Sequence, residues 1–221
     1  MTRKRPTQAQ MKRRQTYTAI GVMVAAVLLV IAVIAVGNQL LAGPVADAED
    51  DGAYAGLTVT VTEDGLYRLG SPDAAVVLEV FSSFACPHCV HFHETIHELI
   101  DPYVQDGTLA VTAYMLANSQ RAALGTAASI CAGQQDPIKF WQMCDLVYSW
   151  IAEPYDQARI EEAASAMGLN VDALKTCMES EETHEILQGI FDTAMARGVR
   201  GTPATFFNGA RPDCGRPGDL C

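Results

Sequence analysis

No acidic residue occurs before Asp47, and no charged side chain interrupts residues 19–37. Six basic residues, Arg3, Lys4, Arg5, Lys12, Arg13 and Arg14, stand ahead of that apolar run. As a helix rising 1.5 Å per residue, the run spans roughly 28 Å, close to the hydrocarbon thickness of a bilayer. Lys and Arg without acid on one side predict a cytoplasmic N-terminus and an outward-facing remainder. The expected layout is a cytoplasmic basic tail at 1–17, a transmembrane anchor at 18–41 and an acidic linker at 42–56. A cleaved signal peptide competes, because Val45-Ala46-Asp47-Ala48 offers small residues at suitable spacing. Against it, the apolar run is longer than the usual h-region of about 7–15 residues.

Positive charge is scarce beyond the run. Of the 15 basic residues only nine remain there, against 26 acidic ones, a net of −17. That balance excludes nucleic acid and anionic lipid surfaces as partners of the outer part. Internal repeats and low-complexity tracts are absent as well. Residues 43–56, with Asp47, Glu49, Asp50 and Asp51, read as a solvated tether with an r.m.s. reach of roughly 20 Å.

Cysteine, by contrast, is plentiful, with seven residues in a chain placed outside the cytoplasm, where disulfides persist. Cys86-Pro87-His88-Cys89 sits where an apolar strand at 75–81 gives way to an amphipathic helix. Two thiols so close form a redox couple. Cys86 falls at the helix N-terminus, where free N–H groups and the helix dipole favour a thiolate, so Cys86 is the expected attacking sulfur.

The outer domain is expected at 57–221. Residues 57–61 alternate Val and Thr as a short strand. Cys89, Phe92, Ile96, Leu99, Ile100 and Tyr103 recur at helical spacing and predict one face packed on a sheet. Residues 109–115 form the next strand, and strand, helix, strand with this crossover predicts parallel neighbours. From 119 to 180 the period is helical throughout, an inserted helical subdomain. A helix at 183–197 follows, then Thr202-Pro203 and a strand at 204–207.

This combination resembles the DsbA-like thiol-disulfide oxidoreductases of the thioredoxin fold, over roughly residues 67–209. The resemblance implies an α/β thioredoxin-like fold with a helical insertion, in a single-pass protein of a bacterial cytoplasmic membrane. It implies Cys86 as nucleophile, Cys89 as resolving partner, and Pro87 and His88 as the dipeptide typical of oxidising members, with His88 helping to hold the thiolate. It also implies Thr202-Pro203 as a cis-proline loop that faces the cysteines and binds substrate main chain. The expected activity is an oxidase of disulfide formation in secreted proteins, reset by a quinone-linked membrane partner of the DsbB-like or vitamin K epoxide reductase-like class, without a bound cofactor. Reduction or isomerisation on the same site, and docking or chaperoning without turnover, are the alternatives.

Two positions depart from the family pattern. Family members usually carry a buried carboxylate six residues before the first cysteine; here that position is Val80, and Glu79 falls on the opposite strand face. The short tail after Gly209 cannot supply both the strand and the helix that normally finish the fold.

Five cysteines remain besides the active pair. Cys131 and Cys177 are the first choice for a structural disulfide, with Cys144 as alternative partner or packed core, and Cys214 and Cys221 flank a loop they could close. His93-Glu94-Thr95-Ile96-His97 satisfies the zinc-protease pattern His-Glu-x-x-His. A third ligand is missing, since no histidine follows until His184 and no glutamate after Glu98 until Glu153. A zinc site mixing Cys86 and Cys89 with His91 or His93 is the other metal reading. The favoured reading of His91, His93 and His97 is a polar helix face, and no metal site is expected.

Overall fold

A computed structural model of the chain describes residues 53–212. Its five strands are β1 (Val59–Val61), β2 (Tyr67–Leu69), β3 (Val76–Ser82), β4 (Leu109–Met115) and β5 (Ala204–Phe207), ordered β1-β2-β4-β3-β5. β3 and β4 pair in parallel, joined by a crossover through α1 (Pro87–Leu99) and a π-helical turn at Ile100–Val104. The other neighbours pair antiparallel. All seven residues of β4 are buried, as a strand covered on both faces requires.

Four helices, α2 (Gln120–Gln135), α3 (Pro137–Ser149), α4 (Gln157–Ala166) and α5 (Val171–Met178), fill the stretch expected as an insertion. α6 (Glu181–Ala196) then returns the chain to the sheet. The side chains of Ser119, Asp136, Asp156, Asn170 and Ser180 each accept a hydrogen bond from an N–H in the first turn of the helix that follows. Each such cap contributes about 1 kcal/mol. The insertion is locked to the sheet where Tyr67 donates to the Ile130 carbonyl at 2.9 Å. A side chain at Gly133 would collide with the Tyr67 ring, so only glycine fits beneath it.

Several expectations change. β2 leaves no mark in the sequence, because three residues are too few to show a strand period. The tether reading of 43–56 fails at Tyr54, which is 4 % exposed and hydrogen-bonds across to Asp145 at 2.9 Å. Its ring removes apolar surface from water, so the packed domain starts before residue 57. Tyr103 is 48 % exposed rather than packed on the sheet. The Gln105 N–H reaches the Ile100 carbonyl at 2.9 Å, an i to i+5 bond that adds a residue to the turn and rotates Val104 inward instead. The anchor at 18–41 and the cytoplasmic tail lie outside the described residues, as do Cys214 and Cys221. Among the described residues, no helix is long and apolar enough to cross a membrane.

β3 and β4 pair residue for residue from Val76 to Ser82, so no bulge re-registers β3. Glu79 accordingly faces away from Val80's side and meets Arg197 in two hydrogen bonds of 3.0 Å each, while Tyr114 donates to it at 3.2 Å. The guanidinium also lies 3.9 Å from the Phe206 ring centroid. Burial alone would raise the Glu79 carboxyl, and Arg197 more than reverses this, leaving it below its usual value. A group whose folded pKa is depressed stabilises above its unfolded pKa and loses that stabilisation as pH falls through the folded one. Glu79→Gln is therefore expected to cost about 2 kcal/mol at neutral pH, by replacing charge-assisted hydrogen bonds to Arg197 with neutral ones, while Arg197 keeps the Gly209 carbonyl and the Phe206 ring. In urea titrations the gap to the unmodified protein should close below about pH 4.

Candidate active site

β3 delivers the chain into a buried corner, Ser82-Ser83-Phe84, from which Cys86 emerges as the N-cap of α1 with an extended backbone, φ −108° and ψ 113°. Pro87 occupies the first turn, where its missing N–H costs nothing. The Cys86 N–H donates to the Ser83 carbonyl at 3.1 Å, and the Cys89 N–H to the Cys86 carbonyl at 3.0 Å. Both cysteines are thiols in this structure, Cys86 partly exposed and Cys89 fully buried.

The second wall comes from the other end of the chain. β5 pairs antiparallel with β3, with Ala204 opposite Phe81, and this register sets the preceding loop beside the cysteines. The Thr202–Pro203 peptide is cis, and the Cys86 thiol donates to the Thr202 carbonyl at 3.2 Å. Cys86, Cys89, Thr202 and Pro203 are thus brought to one place.

The two thiols are driven apart chemically. Burial alone would push Cys86 up, but hydrogen bonds to Thr202, to the Cys89 side chain and to the Cys89 and His88 backbone outweigh it, so its pKa lies below the ordinary thiol value. His88 contributes through its backbone, with its ring exposed. For Cys89 burial wins, and its pKa is raised despite a hydrogen bond to Ser82. The Ser82 hydroxyl shares a 2.5 Å hydrogen bond with Tyr148, one of the ring-bearing residues of α3. Where the family pattern expects a carboxylate, Val80 is 1 % exposed and lines a small cavity with Ser82, His93, Cys144 and Tyr148. The relay carboxylate is absent from this side of β3, and hydroxyls stand nearest Cys89.

Cys131 and Cys177 form a disulfide with Cα atoms 5.7 Å apart, joining α2 to α5. Cys144 is a free thiol in the core, its pKa pushed well up by burial.

The histidines do not form one polar face. His93 is 8 % exposed and turns toward α3, where Asp145 accepts from it at 2.5 Å and from His97 at 2.9 Å. α1 meets α3 through these imidazoles, so a polar residue type at 93 and 97 does not mark a solvent-facing side. His91 is exposed and pairs instead with Glu94 at 3.2 Å. Neither His91 nor His93 is thereby directed to the thiols, and Glu94, 67 % exposed at its side chain, is turned outward rather than toward Asp145. The hydrolytic reading loses its general base. Tyr54, Ser82, Asp145 and Tyr148 escaped sequence analysis; the one available signal was an Asp amid the apolar positions of 140–151.

The family model described as Thioredoxin matches residues 62–214. No curated protein sequence matches the chain. Among solved structures, the chain is similar to MdbA, a thiol-disulfide oxidoreductase from Corynebacterium diphtheriae, at 17 % identity and TM-score 0.60, over 70 % of this chain and 87 % of that one. Oxidised BdbD from Bacillus subtilis matches at 19 % identity and TM-score 0.60, over 69 % and 86 %. Alpha-DsbA1 from Wolbachia pipientis matches at 20 % identity and TM-score 0.57, over 63 % and 73 %. At such identities the likeness establishes the fold.

Proposed function

The chain belongs to the thioredoxin family, and on that premise we propose that it is an extracytoplasmic thiol-disulfide oxidoreductase that introduces disulfides into secreted proteins through Cys86 and Cys89. The observation that carries this is the opposite displacement of the two thiols, Cys86 lowered and Cys89 raised, beside the cis Thr202–Pro203 peptide. A stabilised Cys86 thiolate is a good leaving group, which makes the oxidised pair easy to reduce.

In the forward reaction a substrate thiolate attacks Cys86 of the disulfide. A bond forms between the substrate sulfur and Cys86, the Cys86–Cys89 bond breaks, and Cys89 leaves as a thiolate that takes a proton. A second substrate thiolate then attacks the first substrate sulfur and expels Cys86 as thiolate. The substrate loses two electrons and the pair gains them. A quinone-linked membrane partner of the DsbB-like or vitamin K epoxide reductase-like class would accept those electrons, and an anchor at 18–41 would keep the domain beside it.

Stoichiometric transfer tests the direction. The oxidised protein, mixed with a reduced unfolded secreted protein, is expected to lose its disulfide as the substrate gains one. Failure to transfer, with rapid reduction of insulin by the dithiol form, would reverse the assignment to a reductase.

Ser82 offers a finer test, because its hydroxyl stabilises the Cys89 thiolate that must depart. Ser82→Ala is expected to slow formation of the mixed disulfide about tenfold, since a hydrogen bond to a charged group is worth about 1.5 kcal/mol. The pH at which Cys89 ionises, followed by its alkylation rate in a Cys86→Ser background, should move up. An unchanged profile would remove Ser82 from the reaction.

A further inference from the structure

The His-Glu-x-x-His segment is left unused by the redox chemistry, and its two histidines meet a carboxylate from another helix. His93 and His97, four apart on α1, share a face and direct Nε2 to one oxygen of Asp145 on α3, at 2.5 and 2.9 Å. Tyr54, arriving from ahead of β1, donates to that same Oδ1 at 2.9 Å and stands 3.2 Å from His97 Nε2. One ligand atom from each of His93, His97 and Asp145 lies within 4.8 Å of the others. Three separate parts of the chain therefore converge on a single point, and the third ligand that histidine and glutamate could not supply is an aspartate.

We propose that His93, His97 and Asp145 form a zinc-binding site. Two imidazoles and one carboxylate suit a borderline ion such as Zn²⁺, whereas Ca²⁺ and Mg²⁺ prefer oxygen ligands. Zinc bonds of about 2.0–2.2 Å set tetrahedral ligand atoms roughly 3.3 Å apart. The His97 to Asp145 separation is already near that value, and His93 has to withdraw by less than about 1 Å. On binding, each histidine must present a bare Nε2, so the proton it now points at Asp145 moves to Nδ1 and the N–H···O contacts give way to metal bonds. The side chains of His97 and Asp145 are 31 % and 33 % exposed, which leaves an open side for entry and for a fourth ligand, water or the Tyr54 hydroxyl.

The site is structural rather than hydrolytic, because Glu94 faces His91 and not the ligands. A zinc ion there would clamp α1, the helix that begins with the redox pair, to α3 and to the segment ahead of β1. The excess of acid beyond residue 37 favours uptake of a cation.

The test uses the full chain with Cys86 and Cys89 oxidised and every accessible thiol alkylated, so that no cysteine can ligate the ion. After removal of metal with a chelator, calorimetric titration with zinc chloride is expected to show one ion per chain. Cobalt substituted for zinc should give the visible bands of a tetrahedral site. Asp145→Asn and His97→Ala are each expected to weaken binding at least tenfold, and Glu94→Gln to leave it unchanged. His97 is half-buried, so its replacement keeps the test open where changes at His93 unfold the protein. No uptake by the unmodified chain, or uptake that His97→Ala and Asp145→Asn leave intact, would overturn the proposal.

Discussion

Cys86→Ser is expected to reduce disulfide transfer to background, while Cys89→Ser leaves the protein covalently joined to its substrates. The two outcomes differ because the two sulfurs differ in position. Cys86 is partly exposed, lies 3.2 Å from the Thr202 carbonyl and is the thiol whose pKa is lowered, so an incoming sulfur can reach only this one. Cys89 is fully buried and its pKa is raised, so it exchanges only with Cys86: it leaves when a substrate thiolate attacks Cys86, and it can return to attack the Cys86 sulfur of a mixed disulfide and expel the substrate. Serine at position 86 offers no sulfur to either partner. Serine at position 89 removes the internal attack that would break a mixed disulfide. Non-reducing electrophoresis of extracts from cells that carry each variant separates the results: high-mass adducts with Cys89→Ser and none with Cys86→Ser. Absence of adducts from Cys89→Ser would favour a docking module without turnover.

The double variant Cys131→Ala/Cys177→Ala is expected to lose about 4 kcal/mol of stability. The disulfide joins residues 46 apart, and closing a loop of that size in the unfolded chain removes entropy worth about 4 kcal/mol. It also ties α2, whose residues run through the core, to α5, which has one buried side chain, Leu174. With total stability of about 5–15 kcal/mol typical of domains, the loss lowers the melting temperature by roughly 10 °C. Calorimetry without reductant measures it. Transfer activity per folded molecule should persist, because Cys131 and Cys177 contribute no atom to the Cys86 pair. A shift of under about 1 kcal/mol would mean that the insertion holds together through its packed helices alone.

What could be read from the chain, and what could not, divides by the range of the interaction. The helices of the insertion carry local signals: Asn170 ahead of 171–178 caps the N–H of Ala173, and Gly168 takes the positive φ that ends α4. The Cys86 to Cys89 spacing after an apolar strand and Thr202-Pro203 ahead of another are local patterns too, and the β3–β5 pairing brings them together. Tyr54 and Asp145 lie 91 positions apart, and neither bears a mark of the other in its own neighbourhood. The same holds for Glu79 and Arg197, separated by 118, although a charge in the middle of an apolar strand asks for a partner. Tyr103 stands exposed where helical spacing predicts packing, because the extra residue of a π-helical turn leaves no trace in a 3.6-residue period.

The most direct test of an oxidising Cys86/Cys89 pair is its equilibrium with glutathione buffers, which yields the reduction potential. Thioredoxin lies near −270 mV and strongly oxidising members of the fold near −120 mV. If the pair acts as the proposed oxidase, with the Cys86 thiolate stabilised and Cys89 raised, its potential is expected above about −200 mV. A potential close to that of thioredoxin would contradict the oxidase and assign the site to reduction.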